Sequence, residues 1–227
     1  MTNTIITKAI ITAMKEEADI IIKKFDLKSV KKLKTLEIFE WEKSGEKIVL
    51  ALAGIGKIQA SLATTYLFEN YMITKLINIW IAGNISDSDI KIGDVFLPNT
   101  FIQHDMYLPF EGEHLDYAKK AIFIETATWL NYDLKKFWLI MNGICLTWDQ
   151  FIDDDKKIEE LKEKFSWDLV EMEAFAILSV AKEYESLNKC IVIKAVSDGA
   201  DSTSKDDHMS NLDFAMDNAS NILELIL

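Results

Sequence analysis

The sequence predicts an α/β protein, a single-domain three-layer fold over residues 1–227 with a central mixed, largely parallel twisted sheet flanked by helices. Three observations carry that expectation. Short β-branched apolar runs alternate with stretches of helical periodicity from end to end. No linker, repeat or low-complexity stretch divides them. The composition supplies a core, with 49% hydrophobic residues against 8 Gly and 2 Pro.

The elements follow in order. Residues 9–13 form a strand, β-branched at Ile10, Ile11 and Thr12. It stops at Met14, and Lys15-Glu16-Glu17-Ala18-Asp19 puts carboxylates into the first turn of a helix, where the helix dipole favours them. Residues 48–53 repeat the arrangement: Gly54-Ile55-Gly56-Lys57 is the turn, and Ile58, Leu62, Leu67 and Tyr71 run along a helix whose Ala60 and Ala63 permit close packing. A third strand, 76–82, ends at Gly83-Asn84. Shorter strands are expected at 94–97 and 100–103, then an irregular stretch, 106–120. Residues 137–145 read as one buried strand, and 153–165 as an amphipathic helix with Ile158, Leu161 and Phe165 on one face. Leu169 and Val170 lead into Glu171-Met172-Glu173, and Ala174, Ile177, Leu178 and Ala181 follow at helical spacing. Residues 190–196 form an apolar strand interrupted by Lys194, and Leu212, Ala215, Ala219, Ile222 and Ile226 mark a closing helix.

The net charge of −12 opposes nucleic acid and anionic membranes as partners, since both demand clustered positive charge. No apolar run approaches the ~20 residues of a membrane span. Met1-Thr2-Asn3-Thr4 lacks the basic-then-apolar pattern of a signal peptide, so the expected location is cytoplasmic. All 25 basic residues are Lys, leaving no guanidinium fork to grip phosphate. Cys145 and Cys190 lack CxxC spacing and read as buried, reduced thiols.

Ligands of open α/β sheets gather beyond the carboxyl ends of the strands. Those positions hold Glu16 and Glu17, then 54–57, Gly83 and Asn84, 149–152, 171–173, and Ser197-Asp198. Carboxylates dominate, which suits proton transfer on a neutral substrate. Singly, each position has an ordinary alternative. The 54–57 loop is either a phosphate cradle or a tight turn with Lys57 in solvent. Glu171 and Glu173 fit an acidic helix start, and Asp198 a cap or turn. His104, His114 and His208 are too scattered for a metal site, and His104-Asp105 reads as a structural pair.

The ordered series AMKEEA, GIGK, IAGN, GDV with QHD, WDQFI, VEMEAFA and KAVSDGAD resembles the purine nucleoside phosphorylase and nucleosidase superfamily over nearly the whole chain. Within it the likeness is greatest to the 5′-methylthioadenosine/S-adenosylhomocysteine nucleosidases. The resemblance implies a nucleoside phosphorylase-like fold and hydrolysis of the N-glycosidic bond of an adenine nucleoside, with water as nucleophile and neither metal nor organic cofactor. It makes Asp198 the general acid on the purine imidazole, Glu17 the carboxylate that prepares water, and Glu173 the ribose-hydroxyl ligand. Phe151 is expected to stack on the base, Ile152 to read its edge through the backbone, and Met172 to lie against the sugar, with Glu171 in support. Ile81, Ala82, Gly83, Lys194 and Ser197 complete the expected substrate-binding set. The loop 105–110 is expected to reach the pocket of a second copy, because the relatives are homodimers, and 5′ specificity is expected to be set after Asp105.

The chain departs from that pattern in three places: in the segment after Asp105, at Lys194 and in the turn 80–84. Lys194 stands where the superfamily commonly has Arg, which keeps the charge and loses the planar fork. Trp80-Ile81-Ala82-Gly83-Asn84 replaces a small GSAGG- or GTAGG-type turn, and the Trp80 ring is expected in the core. Two other readings remain: a phosphorylase, disfavoured because no Arg is present to bind the anion, and a binding protein without turnover, disfavoured by the joint presence of Glu17, Glu173 and Asp198.

Overall fold

Twelve strands form one sheet in the computed structural model, which describes residues 6–43, 45–86, 89–110, 112, 115, 120–125, 139–164 and 168–227. The order is β1 (Ile6–Thr12), α1 (Lys15–Phe25), β2 (Lys28–Lys32), β3 (Glu37–Lys43), β4 (Glu46–Leu52), α2 (Lys57–Asn70), β5 (Ile73–Asn84), β6 (Val95–Leu97), β7 (Thr100–Gln103), β8 (Ile122–Phe123), β9 (Leu139–Met141), β10 (Ile144–Thr147), α3 (Asp155–Lys164), β11 (Leu169–Glu171), α4 (Ala174–Glu183), β12 (Cys190–Asp198) and α5 (Ser204–Ile226).

The long strand β5 is the hub. It pairs in parallel with β1 and β12 and, at its last residues Asn84 and Gly83, antiparallel with β11. The sheet is therefore mixed, running β2-β3-β4-β1-β5-β11-β10-β7-β8 with β12, β6 and β9 as a branch. Side-chain alternation along β5 sends Leu76, Trp80 and Ala82 into a core beneath α2 and α4, and Ile77, Ile79 and Ile81 into a second core beneath α1 and α5. Helices thus cover both faces, as the continuous apolar strands require. Among the described residues, no helix is long and apolar enough to cross a membrane.

Three expectations are corrected. Residues 139–147 form two strands, because the positive φ of Asn142 (66°) and Gly143 (148°) breaks the extended run between β9 and β10. The two halves then join different partners, β9 pairing with β6 and β10 with β7 and β11. In α2 the buried face is Ala60, Ala63, Thr64 and Leu67, whereas Ile58 and Leu62 are exposed, because the small alanines bring the helix down onto the sheet by that face. Tyr71 is the C-cap of α2, extended in backbone, and donates its N–H to the Leu67 carbonyl at 2.9 Å. The edge hairpin of β2 and β3 has no counterpart in the sequence reading; the alternation in Glu37–Lys43 was its signal. Ile158 is buried in a third, smaller core, while Phe137, Phe165 and His114 lie outside the described residues, as do parts of the 106–120 stretch.

Candidate functional site

The ends of β1, β4, β5, β10, β11 and β12 converge on one cleft, open on one side to solvent. The lining comprises Met14 and Glu17 from the start of α1, Ile55, the 80–83 end of β5, 150–152, 170–173, Asp198 and Ala200, and His208 of α5.

Glu17 sits at the third position of α1, where its side chain folds back over the helix start. Its Oε2 accepts the N–H of Met14 at 2.8 Å and of Ala13 at 3.2 Å, and its Oε1 faces the N–H of Ile81 at 3.4 Å. Burial raises its carboxyl to about 7, against the pull of those amides and of the Lys194 charge. A carboxyl held there exchanges protons near neutrality, as a general base must.

The VEME stretch divides its two glutamates by function. Glu171 is saturated: Oε2 accepts from the N–H groups of Glu173 (3.0 Å) and Ala174 (2.8 Å) and from Lys194 Nζ (2.8 Å), and Oε1 from the Thr147 hydroxyl. It is a cap for the start of α4, with little left for a ligand. Glu173, at the α4 boundary, accepts the Gly56 N–H at 2.6 Å and the Met172 N–H at 3.2 Å. The 54–57 loop is therefore a tight turn, with Gly54 and Gly56 at φ 90° and 94°, whose amide serves a carboxylate. Burial and the neighbouring Glu171 charge raise Glu173 to about 8, with Lys194 and the Gly56 amide opposing. Lys57 is not in free solvent, since its ammonium pairs with Asp105 at 2.5 Å and approaches Asp149 at 3.7 Å.

Asp198 ends β12 with Oδ1 on the Ala200 N–H at 2.9 Å and Oδ2 on the Ser197 hydroxyl at 2.7 Å. His208 Nδ1 lies 3.5 Å from the same Oδ2, and its ring meets Phe151 edge-on at 5.4 Å. Gly83 makes room for this, because a methyl group there would lie 3.0 Å from Asp198 Oδ1 and from Ala200.

Of the expected site residues, Glu17, Ile81, Ala82, Gly83, Phe151, Ile152, Glu171, Met172, Glu173 and Asp198 border the cleft together. Lys194 and Ser197 lie behind it, fully buried, and touch Glu171 and Asp198 respectively. Trp80 is 2% exposed, as a core residue, with one edge bordering the cleft. Sequence reasoning passed over His208 and Thr147. A histidine one helical turn into the helix after SDGAD was the available signal for the first; the hydroxyl of Thr147 becomes meaningful only through β10–β11 pairing. The free thiols Cys145 and Cys190 are both buried.

Comparison with known proteins supplies independent findings. Residues 7–227 match the phosphorylase superfamily. The chain is 30% identical over 229 residues to a 5′-methylthioadenosine/S-adenosylhomocysteine nucleosidase of Bacillus subtilis, covering 96% of each chain. It is 30% identical over 162 residues to an aminodeoxyfutalosine nucleosidase of Helicobacter pylori, covering 69% of each. Among solved structures, a Neisseria meningitidis 5′-methylthioadenosine/S-adenosylhomocysteine nucleosidase in complex with methylthio-immucillin-A superposes with a TM-score of 0.82 at 26% identity, over 97% of this chain and 98% of that one.

Proposed function

This chain belongs to the phosphorylase superfamily, and from that premise we propose that it is a nucleosidase, hydrolysing the N-glycosidic bond of an adenine nucleoside such as 5′-methylthioadenosine or S-adenosylhomocysteine to free base and ribose sugar. The observation that carries this reading is the convergence of buried Glu17, Glu173 and Asp198, from three different strand ends, on one cleft. Breaking the bond builds positive charge on the ribose and negative charge on the departing purine. A proton donor at the base and carboxylates around the sugar meet those charges as they appear.

Asp198 gives its proton to the imidazole nitrogen of the purine, so the base departs neutral. Glu17 orients a water molecule and takes its proton as oxygen attacks the ribose carbon. Glu173 accepts hydrogen bonds from the ribose hydroxyls, Met172 packs on the sugar, and Phe151 stacks on the base whose edge the Ile152 backbone reads. Ile81, Ala82 and Gly83 form the cleft wall along the ribose. A homodimer completes the mouth: Ile58 and Leu62 on α2, and Met106, Tyr107 and Phe110 beyond β7, form exposed apolar surface for a second copy to cover.

Water rather than phosphate is the nucleophile, since among the described residues that line the cleft none is Lys. Lys194 lies behind the lining, paired with Glu171. The test is to incubate purified protein with purine nucleosides with and without phosphate and identify both products. Adenine and free ribose sugar are expected at equal rates in both arms. A strict phosphate requirement, with sugar 1-phosphate as product, would overturn the assignment.

A further inference from the structure

Lys194 and Trp80 face each other in register across the β5–β12 pair. The ammonium stands 3.8 Å from the centre of the indole ring and 2.8 Å from Glu171 Oε2, and Lys194 is 0% exposed. A buried ammonium without partners is costly, and a carboxylate on one side with an aromatic face on the other satisfies it. Glu171, in turn, holds the N–H groups of Glu173 and Ala174, the first turn of α4. Glu173 then reaches the Gly56 amide. An unbroken chain of contacts runs from the indole face to the carboxylate at the cleft.

We propose that Trp80 and Lys194 act as one positioning unit beneath the cleft, the indole face holding the ammonium against Glu171 so that Glu171 fixes the turn carrying Glu173. The inference deepens the proposed function, because the carboxylate it positions is the one given to the ribose. A single ammonium donates fewer fixed hydrogen bonds than a guanidinium, and the ring opposite it supplies a second restraint on where the charge can sit. The groups facing this ammonium from the packed elements are Glu171 of β11, Glu173 at the head of α4, Glu17 of α1 and Cys145 of β10. Its charge favours the ionised form of the Glu17 and Glu173 carboxyls.

A double-mutant cycle tests the unit, using Trp80→Leu, which removes the ring face, Lys194→Met, which removes the charge, and the pair together. Trp80→Phe keeps a ring face. The first readout needs no substrate: 1H–15N spectra of lysine ammonium groups in the free protein. One slowly exchanging, ring-shifted signal is expected, lost in Lys194→Met, displaced in Trp80→Leu and retained in Trp80→Phe. The second is nucleoside hydrolysis across pH. Trp80→Leu and Lys194→Met should each lower kcat/KM by on the order of tenfold and move the acid limb to higher pH, and the double variant should be no worse than Lys194→Met alone. Trp80→Phe should leave the limb in place, which separates loss of the ring from loss of packing.

Losses that multiply in the double variant, or an ammonium signal indifferent to Trp80→Leu, overturn the proposal. If Lys194→Met fails to fold, the Trp80→Leu and Trp80→Phe pair carries the test through the same signal and limb. A wild-type protein with the ammonium signal but no nucleosidase activity would refute the function and leave the coupling standing.

Discussion

Glu17 is a carboxyl placed where ionisation is costly, and the sign of that cost can be measured. Burial raises its folded value to about 7 from an ordinary 4.5. The folded state therefore binds more protons than the unfolded chain between those values, so stability falls as pH rises from about 4.5 and levels off above about 7. The difference corresponds to roughly 3 kcal/mol. Glu17→Gln removes the charge and keeps an oxygen for the amides of Met14 and Ala13. Calorimetry should find the variant more stable than the parent at pH 8 and close to it at pH 4.5; a variant less stable at pH 8 would contradict this account. On the proposed role of Glu17 as the base for water, the same substitution should abolish activity, and activity of the parent should rise with pH through about 7. Asp198→Asn keeps the shape and cannot supply a proton. Turnover should fall ~10²–10⁴-fold with substrate affinity little changed, as measured by kcat and by binding of the uncleaved nucleoside.

At the scale of elements, the end of β5 is where three strands compete for one space. Gly83 registers with Val170 of β11 and with Asp198 of β12, where a shift in the β5–β12 register falls between Val196 and Asp198. Its missing side chain lets both strands close on it, since an added methyl would lie 3.0 Å from Asp198 Oδ1 and 3.2 Å from Val170. Gly83→Ala should therefore push the acid out of place. The expected result is a loss of roughly 1–3 kcal/mol of stability from overpacking and a fall in kcat of up to about 10² from misplacement, seen by thermal melts and steady-state kinetics. Unchanged kinetics would show that Asp198 tolerates displacement. The expected strand 137–145 is interrupted for a local reason: a continuous apolar stretch does not announce a break, and the signal for one is the Asn142-Gly143 pair, which tolerates positive φ.

For the whole molecule, Ile58 and Leu62 are 72% and 57% exposed on one helix, and Ile58 lines a groove together with Met106. If a second copy covers that face, Leu62→Lys should shift the protein from dimer to monomer in sedimentation and lower activity by uncovering the cleft mouth. A parent that is monomeric at micromolar concentration, with full activity, would refute the dimer. The net charge of −12 does not enter the site's chemistry directly, because its carboxylates are held by backbone amides and by one buried ammonium.

Local order in the chain determined the layer architecture, the strand ends that form the site and the carboxyl groups that stand there. These follow from periodicity, from turn residues at strand ends and from a series of motifs each only a few residues long. Tertiary structure decided what pairing across the sheet controls. It made Glu171 a saturated cap and left Glu173 at the cleft, though the two are separated only by Met172. It put Lys57 into an ion pair with Asp105, brought His208 beside Asp198, and set Trp80 against Lys194. Each of those outcomes depends on strand register or helix packing between residues far apart in sequence, and short-range pattern carries no information about which distant partner a side chain will meet.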